Sequence, residues 1–256
     1  MAFEQDRTQT HAGWSQDHTE IYDLVFRSRG KSFEAEADDI AAHVRARHPG
    51  ATTLLDVASG TGAHLVRYAE VFEHVEGVEL APAMRVVAQR KLPGVAVHAG
   101  DMRDFDLGRT FDAVVCLGNS VACMASTAEL DTAIARMAAH LEPGGVLIVE
   151  PGWFPEQFLD GYVGGHLVRE PGRVISRVTH STRDGLATRV EIRFTVATSE
   201  GGIREWTDYF YMNLFTREEY TAAFEKAGCA VEFLDIPWRL GTDPHNAPGL
   251  FAGVRK

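Results

Sequence analysis

The chain has 256 residues, 45% of them hydrophobic, which is enough for one large buried core and a small subdomain. Its formal net charge of −11 argues against a nucleic-acid partner, because phosphates would be repelled outside any local basic patch. No apolar stretch approaches membrane-spanning length, the first residues are too polar for a signal peptide, and the three cysteines match no metal-ligand spacing. We therefore expect a cytoplasmic protein with reduced thiols, no membrane contact and no metal.

Two helices are predicted ahead of the first strand. An amphipathic segment runs from Asp17 to about Arg29 and is ended by Gly30, and residues 33–47 have apolar positions at helical spacing. The first helix has no core strand to pair with, so we expect it to lie across the binding site as a lid. The alternative is a plain packing helix.

The most informative segment is residues 54–62, where an apolar run containing Asp56 is followed by Gly60 and Gly62. The pattern predicts a buried strand, a tight turn, and a helix from Ala63, with glycines that let the backbone approach a ligand closely. Glycines also end strands for purely steric reasons, so this turn alone does not define a binding site.

Three more strands are predicted, at residues 75–80, 95–98 and 111–116. Glu79 lies seventeen residues beyond Gly62, close to the spacing at which an acid binds ribose hydroxyls in nucleotide-binding α/β folds. Asp101 and Met102 follow the third strand and form a polar-then-apolar pair suited to adenine. Successive strand ends that each carry a ligand contact predict a nucleoside site.

The glycine turn is not of the dinucleotide type, because the third glycine is missing, and no lysine follows to form a P-loop. The pattern Asp56-x-x-x-Gly60-x-Gly62, with acids at the next two strand ends, resembles the class I S-adenosylmethionine-dependent methyltransferases over about residues 54–150. The resemblance implies an α/β fold with a Rossmann-like sheet, and S-adenosylmethionine as cofactor.

The same resemblance implies a set of cofactor-binding residues in the lid, in the turn and at the strand ends. We expect Tyr22 to close over the methionine end of the cofactor and Arg29 to meet its carboxylate. The full set is Tyr22, Arg29, Phe33, Ala58, Gly60, Glu79, Leu80, Met84, Asp101, Met102 and Leu117.

Beyond residue 151 the pattern changes to alternating runs, which are typical of an antiparallel sheet. An Asp184-Gly185 pair between two of the runs is a strong hairpin signal. The runs are residues 174–178, 188–196 and 205–215. An inserted sheet at this point would cover the carboxyl ends of the core strands, where ligands bind. We expect it to bind substrate, to serve as a dimerisation flap, or both.

We assign residues 152–213 to the inserted antiparallel sheet, and residues 1–151 with 214–256 to the cofactor-binding α/β core. A capping box at Thr216 predicts a helix after the insertion. The remaining core elements are a helix at 128–140, a stop at 141–145, a fifth strand at 146–149, and a closing hairpin of 230–235 with 250–254. We expect a homodimer.

Segments along nearly the whole chain carry a more specific resemblance. They are similar to the methyltransferases that N-methylate thymidine-diphosphate amino sugars, such as those making the dimethylamino sugars of macrolide antibiotics. The segments are residues 20–24, 29–31, 100–105, 149–156, 161–163, 176–181, 187–189 and 249–253. The resemblance implies a nucleotide-sugar substrate methylated on its amino group.

That substrate needs an aromatic surface for its base and donors for two phosphates. Trp153 can stack on the base or sugar, and Arg177 and Arg189 can serve phosphates. The structural alternatives are a core aromatic residue and a solvated sheet face. The substrate-binding set is Trp14, Trp153, Ser176, Arg177, His180 and Ser181, with Asn119 and Cys123 near the acceptor amine.

The chain departs from the resembled family where the sugar should lie. Cys123 replaces a histidine of the family, Trp14 replaces a tyrosine, and the segment 238–246 is longer and lacks an arginine. These changes leave open which amino sugar is used, whether its amine is at C3 or C4, and whether one or two methyl groups are transferred. A neutral thiol is a poor general base, so no base is assigned.

Two other classes of function are weaker. An O-methyltransferase of secondary metabolism would need a base or a metal, and neither is evident in the sequence. A non-catalytic nucleoside binder would usually have lost the glycine turn or the ribose acid, whereas Gly60, Gly62, Glu79 and Asp101 are all present.

Overall fold

The computed structural model describes residues 15–236 and 249–256, which form an α/β core and a separate antiparallel sheet. The helices are α1 (Gln16–Ser28), α2 (Phe33–Arg47), α3 (Ala63–Val71), α4 (Pro82–Lys91), α5 (Thr127–Ala139) and α6 (Arg217–Lys226), with a 3-10 turn at Ser120–Cys123. The core strands are β1 (Thr53–Val57), β2 (His74–Glu79), β3 (Val97–Ala99), β4 (Phe111–Cys116), β5 (Leu141–Val149), β10 (Cys229–Leu234) and β11 (Leu250–Arg255). The inserted strands are β6 (Val163–Glu170), β7 (Arg173–Asp184), β8 (Ala187–Thr198) and β9 (Gly202–Asn213).

The seven core strands are ordered β10-β11-β5-β4-β1-β2-β3. Strands β1 to β5 are parallel, and β11 pairs antiparallel with both β5 and β10, so the predicted closing hairpin is confirmed. Apolar residues of α2 and α3 pack on one face of the sheet, and those of α5 and α6 pack on the other. This layered arrangement confirms the class I methyltransferase fold.

The turn after β1 needs glycine for two reasons. Gly60 and Gly62 have positive φ angles of 58° and 70°, which L side chains rarely adopt. A Cβ on Gly62 would also lie 3.0 Å from the Cβ of Ala88 in α4. The turn therefore runs close to its neighbours while keeping backbone exposed at the carboxyl edge of the sheet.

The inserted sheet has the order β6-β7-β8-β9 and two different faces. On its covered face, alternate residues such as Phe194 and Ile192 pack with Ile21 and Val25 of α1. Its exposed face is the set of alternating positions that includes Val163, Leu167, Val178 and Tyr209. The predicted hairpin at residues 184–185 joins β7 to β8.

One strand was missed, and two predicted elements were wrong in extent. The sequence pattern missed β6, an edge strand whose two glycines break the apolar alternation. The predicted run 174–178 ended too early, because β7 continues to Asp184. Thr179 and Ser181 are polar residues on the buried side of the strand, which interrupts the apolar alternation. Residues 141–145 were assigned to a stop, yet β5 begins at Leu141 and accommodates the glycines through a register shift against β4.

Within residues 15–236 and 249–256, no helix is long and apolar enough to cross a membrane.

Candidate active site

Two neighbouring cavities lie at the carboxyl ends of the parallel strands. The larger cavity is lined by Tyr22, Ala58, Gly60, Glu79, Leu80, Ala81, Met84, Gly100, Asp101, Met102, Arg103, Gly118, Asn119, Ser120, Cys123, Met124, Tyr209, Phe210, Tyr211 and Met212. The smaller cavity is lined by Tyr22, Lys31, Phe33, Asp56, Ala58, Ser59, Gly60, Thr61, Ala63, His64, Leu117, Gly118 and Ser120. Because five residues line both cavities, they form one continuous site, at the place where ligands bind in such sheets.

Glu79 is the acid at the end of β2 and is held by two backbone donors. Its Oε2 accepts a hydrogen bond from the Gly60 N–H at 2.8 Å, and its Oε1 accepts one from the Ala81 N–H at 2.7 Å. Burial raises the pKa of this carboxyl, while the two backbone donors oppose the shift. The remaining lone pairs of each oxygen can accept hydroxyl donors at the cavity wall.

The other end of the larger cavity combines an ion pair with apolar side chains. Arg103 forms an ion pair with Asp101 at 2.6 Å, and hydrogen bonds to Asp101 are the first cause of the raised pKa of Arg103. Met84 and Met102 line the same region. A charged edge beside thioether side chains suits a flat heteroaromatic ring with a polar rim.

The smaller cavity is bordered by a cluster of charged side chains. Lys31 is buried and forms an ion pair with Glu36 at 2.6 Å, and Glu36 also bonds His64 Nε2 at 2.9 Å. Burial opposes ionisation of Glu36, but His64 and Lys31 outweigh it and lower the pKa of this carboxyl. This cluster places charged groups of both signs where a zwitterionic amino acid tail would need them.

Two polar atoms in the wall of the smaller cavity lack a partner within the described ranges. They are Asp56 Oδ2 and Ser59 Oγ. Burial, followed by the charge of Glu79, raises the pKa of Asp56 well above its usual value. Buried polar atoms are normally hydrogen-bonded, so these two indicate that the cavity receives a polar ligand or water.

Tyr22 of α1 lines both cavities and therefore lies at the junction between them. Burial raises the pKa of its phenol. Below the junction, Glu150 at the end of β5 accepts a hydrogen bond from the Gly118 N–H at 2.6 Å, and burial raises its pKa to about 8. The carboxyl of Glu150 thereby fixes the loop after β4 at the floor of the site.

The side of the larger cavity opposite the glycine turn is formed by the 3-10 turn and by β9. Asn119 has a φ of 59°, an unusual angle for a residue other than glycine, and it precedes Cys123 by one turn. Asn119 Oδ1 is buried and has no hydrogen-bond partner among residues 15–236 and 249–256. Residues 209–212 of the edge strand β9 complete this wall.

The structure brings together nearly all of the predicted cofactor residues. Every member of that set lines one of the two cavities except Arg29, whose guanidinium lies over the ring of Phe26, with 5.7 Å between its carbon and the ring centroid. Contact between Arg29 and the cofactor therefore stays a prediction, and Lys31 occupies the smaller cavity instead.

The predicted substrate residues are more scattered. Asn119 and Cys123 line the larger cavity. The residues that line neither cavity are Trp153, Ser176, Arg177, His180 and Ser181, and Trp14 lies outside the described residues. Ser176 and His180 alternate onto the exposed face of the inserted sheet, whereas Arg177 and Ser181 share the covered face with Ile175. Their roles in substrate binding stay predictions.

Several lining residues were missed by sequence reasoning. Lys31, Ser59 and Arg103 are single polar residues beside recognised positions, and no pattern distinguishes them from surface residues. Residues 209–212 belong to an aromatic-rich extended run, which was a signal of a functional strand. The pattern did not show which inserted strand would border the site.

Comparisons with known proteins agree with this geometry. A family model described as "Methyltransferase domain" matches residues 54–145. The dTDP-3-amino-3,4,6-trideoxy-alpha-D-glucopyranose N,N-dimethyltransferase of Streptomyces venezuelae is 48% identical, covering 93% of this chain and 98% of that protein. The dTDP-4-amino-2,3,4,6-tetradeoxy-D-glucose N,N-dimethyltransferase of Saccharopolyspora spinosa is 44% identical, covering 96% of each.

A solved structure is similar along the whole fold. The chain matches S-adenosylmethionine-bound CalS10, described as an amino pentose methyltransferase from Micromonospora echinaspora involved in calicheamicin biosynthesis, with 52% identity and a TM-score of 0.83. The match covers 92% of this chain and 97% of CalS10, so it includes the inserted sheet as well as the core.

Proposed function

We propose that this chain, which belongs to the family of S-adenosylmethionine-dependent dTDP-aminosugar N,N-dimethyltransferases, methylates the amino group of a thymidine-diphosphate-linked deoxyamino sugar in antibiotic biosynthesis. The observation that carries the proposal is the continuous site between the glycine turn and strand β9. Its core side has the groups that a sulfonium nucleoside needs, and its other side, formed by the 3-10 turn and β9, leaves room for an acceptor. The relatives act on amines, which favours an N-methyltransferase over the O-methyltransferase that the sequence left open.

The residues of the site fit S-adenosylmethionine. Glu79 faces the position of ribose hydroxyls with free acceptor capacity, and the methionine side chains suit the adenine. Asp56 and Ser59 offer unsatisfied polar atoms, and Lys31 offers a cation, where the amino acid tail would lie. When bound, the cofactor would supply a methyl group on a sulfonium: the neutral amine would attack the methyl carbon in line with the C–S bond, and S-adenosylhomocysteine would leave as the thioether.

The contribution of the protein to this reaction is mainly position. Holding the two centres in line removes much of the entropic barrier of a bimolecular step. The cofactor half of the site is anchored through Glu79 and the glycine turn, and Asn119, Cys123 and β9 border the place of the sugar. The amine must arrive without its proton, and we assign no residue as the base, because a neutral thiol at Cys123 would serve poorly.

The proposal is tested by incubating the protein with methyl-labelled cofactor and a panel of nucleotide sugars, with products read by mass. The panel contains 3-amino, 4-amino and matched 3-hydroxy and 4-hydroxy sugars. We expect one or two methyl groups on an amino sugar and none on its hydroxy counterpart. Methylation of the hydroxy sugar alone would contradict the assignment to nitrogen.

We also propose that the protein is a homodimer and works in the cytoplasm. The exposed face of the inserted sheet carries Val163, Leu167 and Val178 at 70%, 49% and 54% exposure, and apolar residues at this density on one sheet face favour burial against a second copy. The three cysteines are free thiols, which is usual in the reducing cytoplasm. Analytical ultracentrifugation should give twice the chain mass of 28.1 kDa, and a monomer would contradict the dimer.

A further inference from the structure

Helix α1 lies between the inserted sheet and the α/β core, and its first turn is held by β9 of the inserted sheet. Near its start, Asp17 forms an exposed ion pair with Arg204 of β9 at 2.5 Å, and the buried His18 Nδ1 lies 2.6 Å from Asp208 Oδ2. One turn later the helix places Tyr22 at the junction of the two cavities. What fixes this part of the helix against the core is therefore decisive for the site.

Asp23, the residue after Tyr22, bonds directly to the glycine turn. Its Oδ1 accepts a hydrogen bond from the Thr61 hydroxyl at 2.5 Å, and its Oδ2 forms an ion pair with Lys91 at the end of α4. Thr61 is buried and lies between Gly60 and Gly62, two of the left-handed positions of the turn. A hydrogen bond to a carboxylate is stronger than one between neutral groups.

The glycine turn is also hydrogen-bonded to Glu79, the acid proposed to bind the ribose, because the Gly60 N–H donates to its carboxylate. A chain of contacts thus runs from Asp23 through Thr61 and the adjacent backbone to Glu79. Tyr22, the neighbour of Asp23, lines both cavities. Gly60, the neighbour of Thr61, donates its N–H to Glu79, which lines the larger cavity.

We propose that Asp23 is a positioning residue that latches α1 onto the glycine turn and so holds Tyr22 across the cofactor. This inference rests on the proposed function, since it takes S-adenosylmethionine as the ligand of the site. With the latch intact, Tyr22 is ordered before the cofactor arrives, and binding does not have to supply the cost of ordering it. Without the latch, this cost reduces cofactor affinity.

The test is a double-mutant cycle read by calorimetry with S-adenosylhomocysteine as the probe. Asp23→Ala and Thr61→Val each remove one partner of the hydrogen bond, and the double variant removes both. We expect each single variant to bind the probe about 5- to 20-fold more weakly, and the double variant to be no more than about 2-fold weaker than the worse single variant.

Conservative variants distinguish the latch from a general loss of structure. Asp23→Asn and Thr61→Ser keep an acceptor and a hydroxyl, so both should bind within about 3-fold of the unaltered protein. Lys91→Met removes only the exposed ion pair and should also have a small effect. Asp17→Asn is the matched control, because it breaks another exposed ion pair of the same helix, with Arg204, and should leave probe affinity unchanged.

Three results would overturn the latch: normal affinity in Asp23→Ala, independent and multiplying losses in the cycle, or an equal loss in Asp17→Asn. Thermal unfolding without ligand is measured for every variant, because a merely structural role would lower Tm without coupling the two residues in probe binding. The experiment needs no acceptor sugar. An incorrect nucleotide-sugar assignment would therefore appear in the product assay and leave the cycle unaffected.

Discussion

The carboxyl edge of the core sheet and the inserted sheet contribute to the same site in different ways. In the core, contact residues such as Glu79 and Gly60 lie at strand ends, so their position follows from the order of the strands. In the inserted sheet, contact comes from residues 209–212 along an edge strand, so it depends on how the whole sheet docks on α1. The half of the site at the glycine turn is thus defined by local sequence, and the half at β9 by packing.

The two regions also differ in how their polar groups are satisfied. Glu79 and Glu150 are buried and are each held by backbone N–H donors. Charged residues of the inserted sheet are more exposed, and Arg189 and Arg193 lie on the same face, about 4 Å from Glu191. Substitutions in the core should therefore have larger and more specific effects than those in the inserted sheet.

The largest effect is expected for Glu79→Ala. Hydrogen bonds to a charged group are worth roughly 1.5–3 kcal/mol each, and two ribose hydroxyls would lose their acceptor. Calorimetry should show at least about a tenfold loss of cofactor affinity. Glu79→Gln keeps an acceptor and should be milder. Unchanged affinity in a folded Glu79→Ala protein would show that Glu79 does not contact the cofactor. It would also contradict the claim that core contacts are placed at strand ends.

A smaller effect is expected for Arg177→Ala, which tests the covered face of the inserted sheet. If Arg177 meets a phosphate, its loss should weaken nucleotide-sugar binding about tenfold and leave cofactor binding unchanged. Arg193→Ala is the control, because Arg193 lies on the exposed face and its side chain is 66% exposed. Circular dichroism checks that both variants fold.

His180→Ala sharpens the same comparison, because His180 lies on the exposed face while Arg177 lies on the covered one. Both residues belong to the predicted substrate-binding set, but one face can border the nucleotide, and we expect it to be the covered one: a loss in Arg177→Ala alone would place the nucleotide there and would remove His180 from the set. A loss in His180→Ala alone would place the nucleotide on the exposed side and contradict that expectation. Equal losses in the Arg177 and Arg193 variants would indicate a general charge effect.

The smallest effect is expected for Cys123→Ala. Cys123 lines the larger cavity together with Asn119 and residues 209–212 of β9. If position rather than base catalysis dominates, the variant should keep kcat within about tenfold. Single-turnover kinetics with saturating cofactor measures the methyl-transfer step directly. A decrease beyond about a hundredfold would show that the thiol takes part in the reaction.

The core was predictable from sequence because each contact is tied to a local signal. The strand-turn-helix pattern around Gly60 and the acid Glu79 predicted the position of the cleft, and the parallel order of the strands brought these residues together at it. Lys31 was not predictable, because a buried lysine beside Glu36 depends on the fold of α2 against α3. Arg29, a neighbour in sequence, was preferred for the same role.

The acceptor side was less predictable for a physical reason. Strand alternation separates the two faces of a sheet, but it does not say which face or edge meets the core. Arg177 and His180 appeared equivalent in sequence because the predicted run ended at residue 178 and left His180 outside the strand, whereas β7 includes both and places them on opposite faces. The apolar residues of β8 and of α1 that decide the docking are ordinary core residues, and nothing in their pattern identifies the partner surface.

The measurement that tests the central claim most directly compares two acceptors that differ only in the nucleotide. A thymidine-diphosphate deoxyamino sugar and the same amino sugar without its nucleotide are each given to the protein with S-adenosylmethionine, and kcat/KM for methyl transfer is measured. We predict that the nucleotide conjugate is methylated at least about a hundredfold more efficiently, because two charge-assisted phosphate contacts would each contribute about tenfold or more. Equal efficiency for the free sugar would contradict the assignment of a nucleotide-linked substrate.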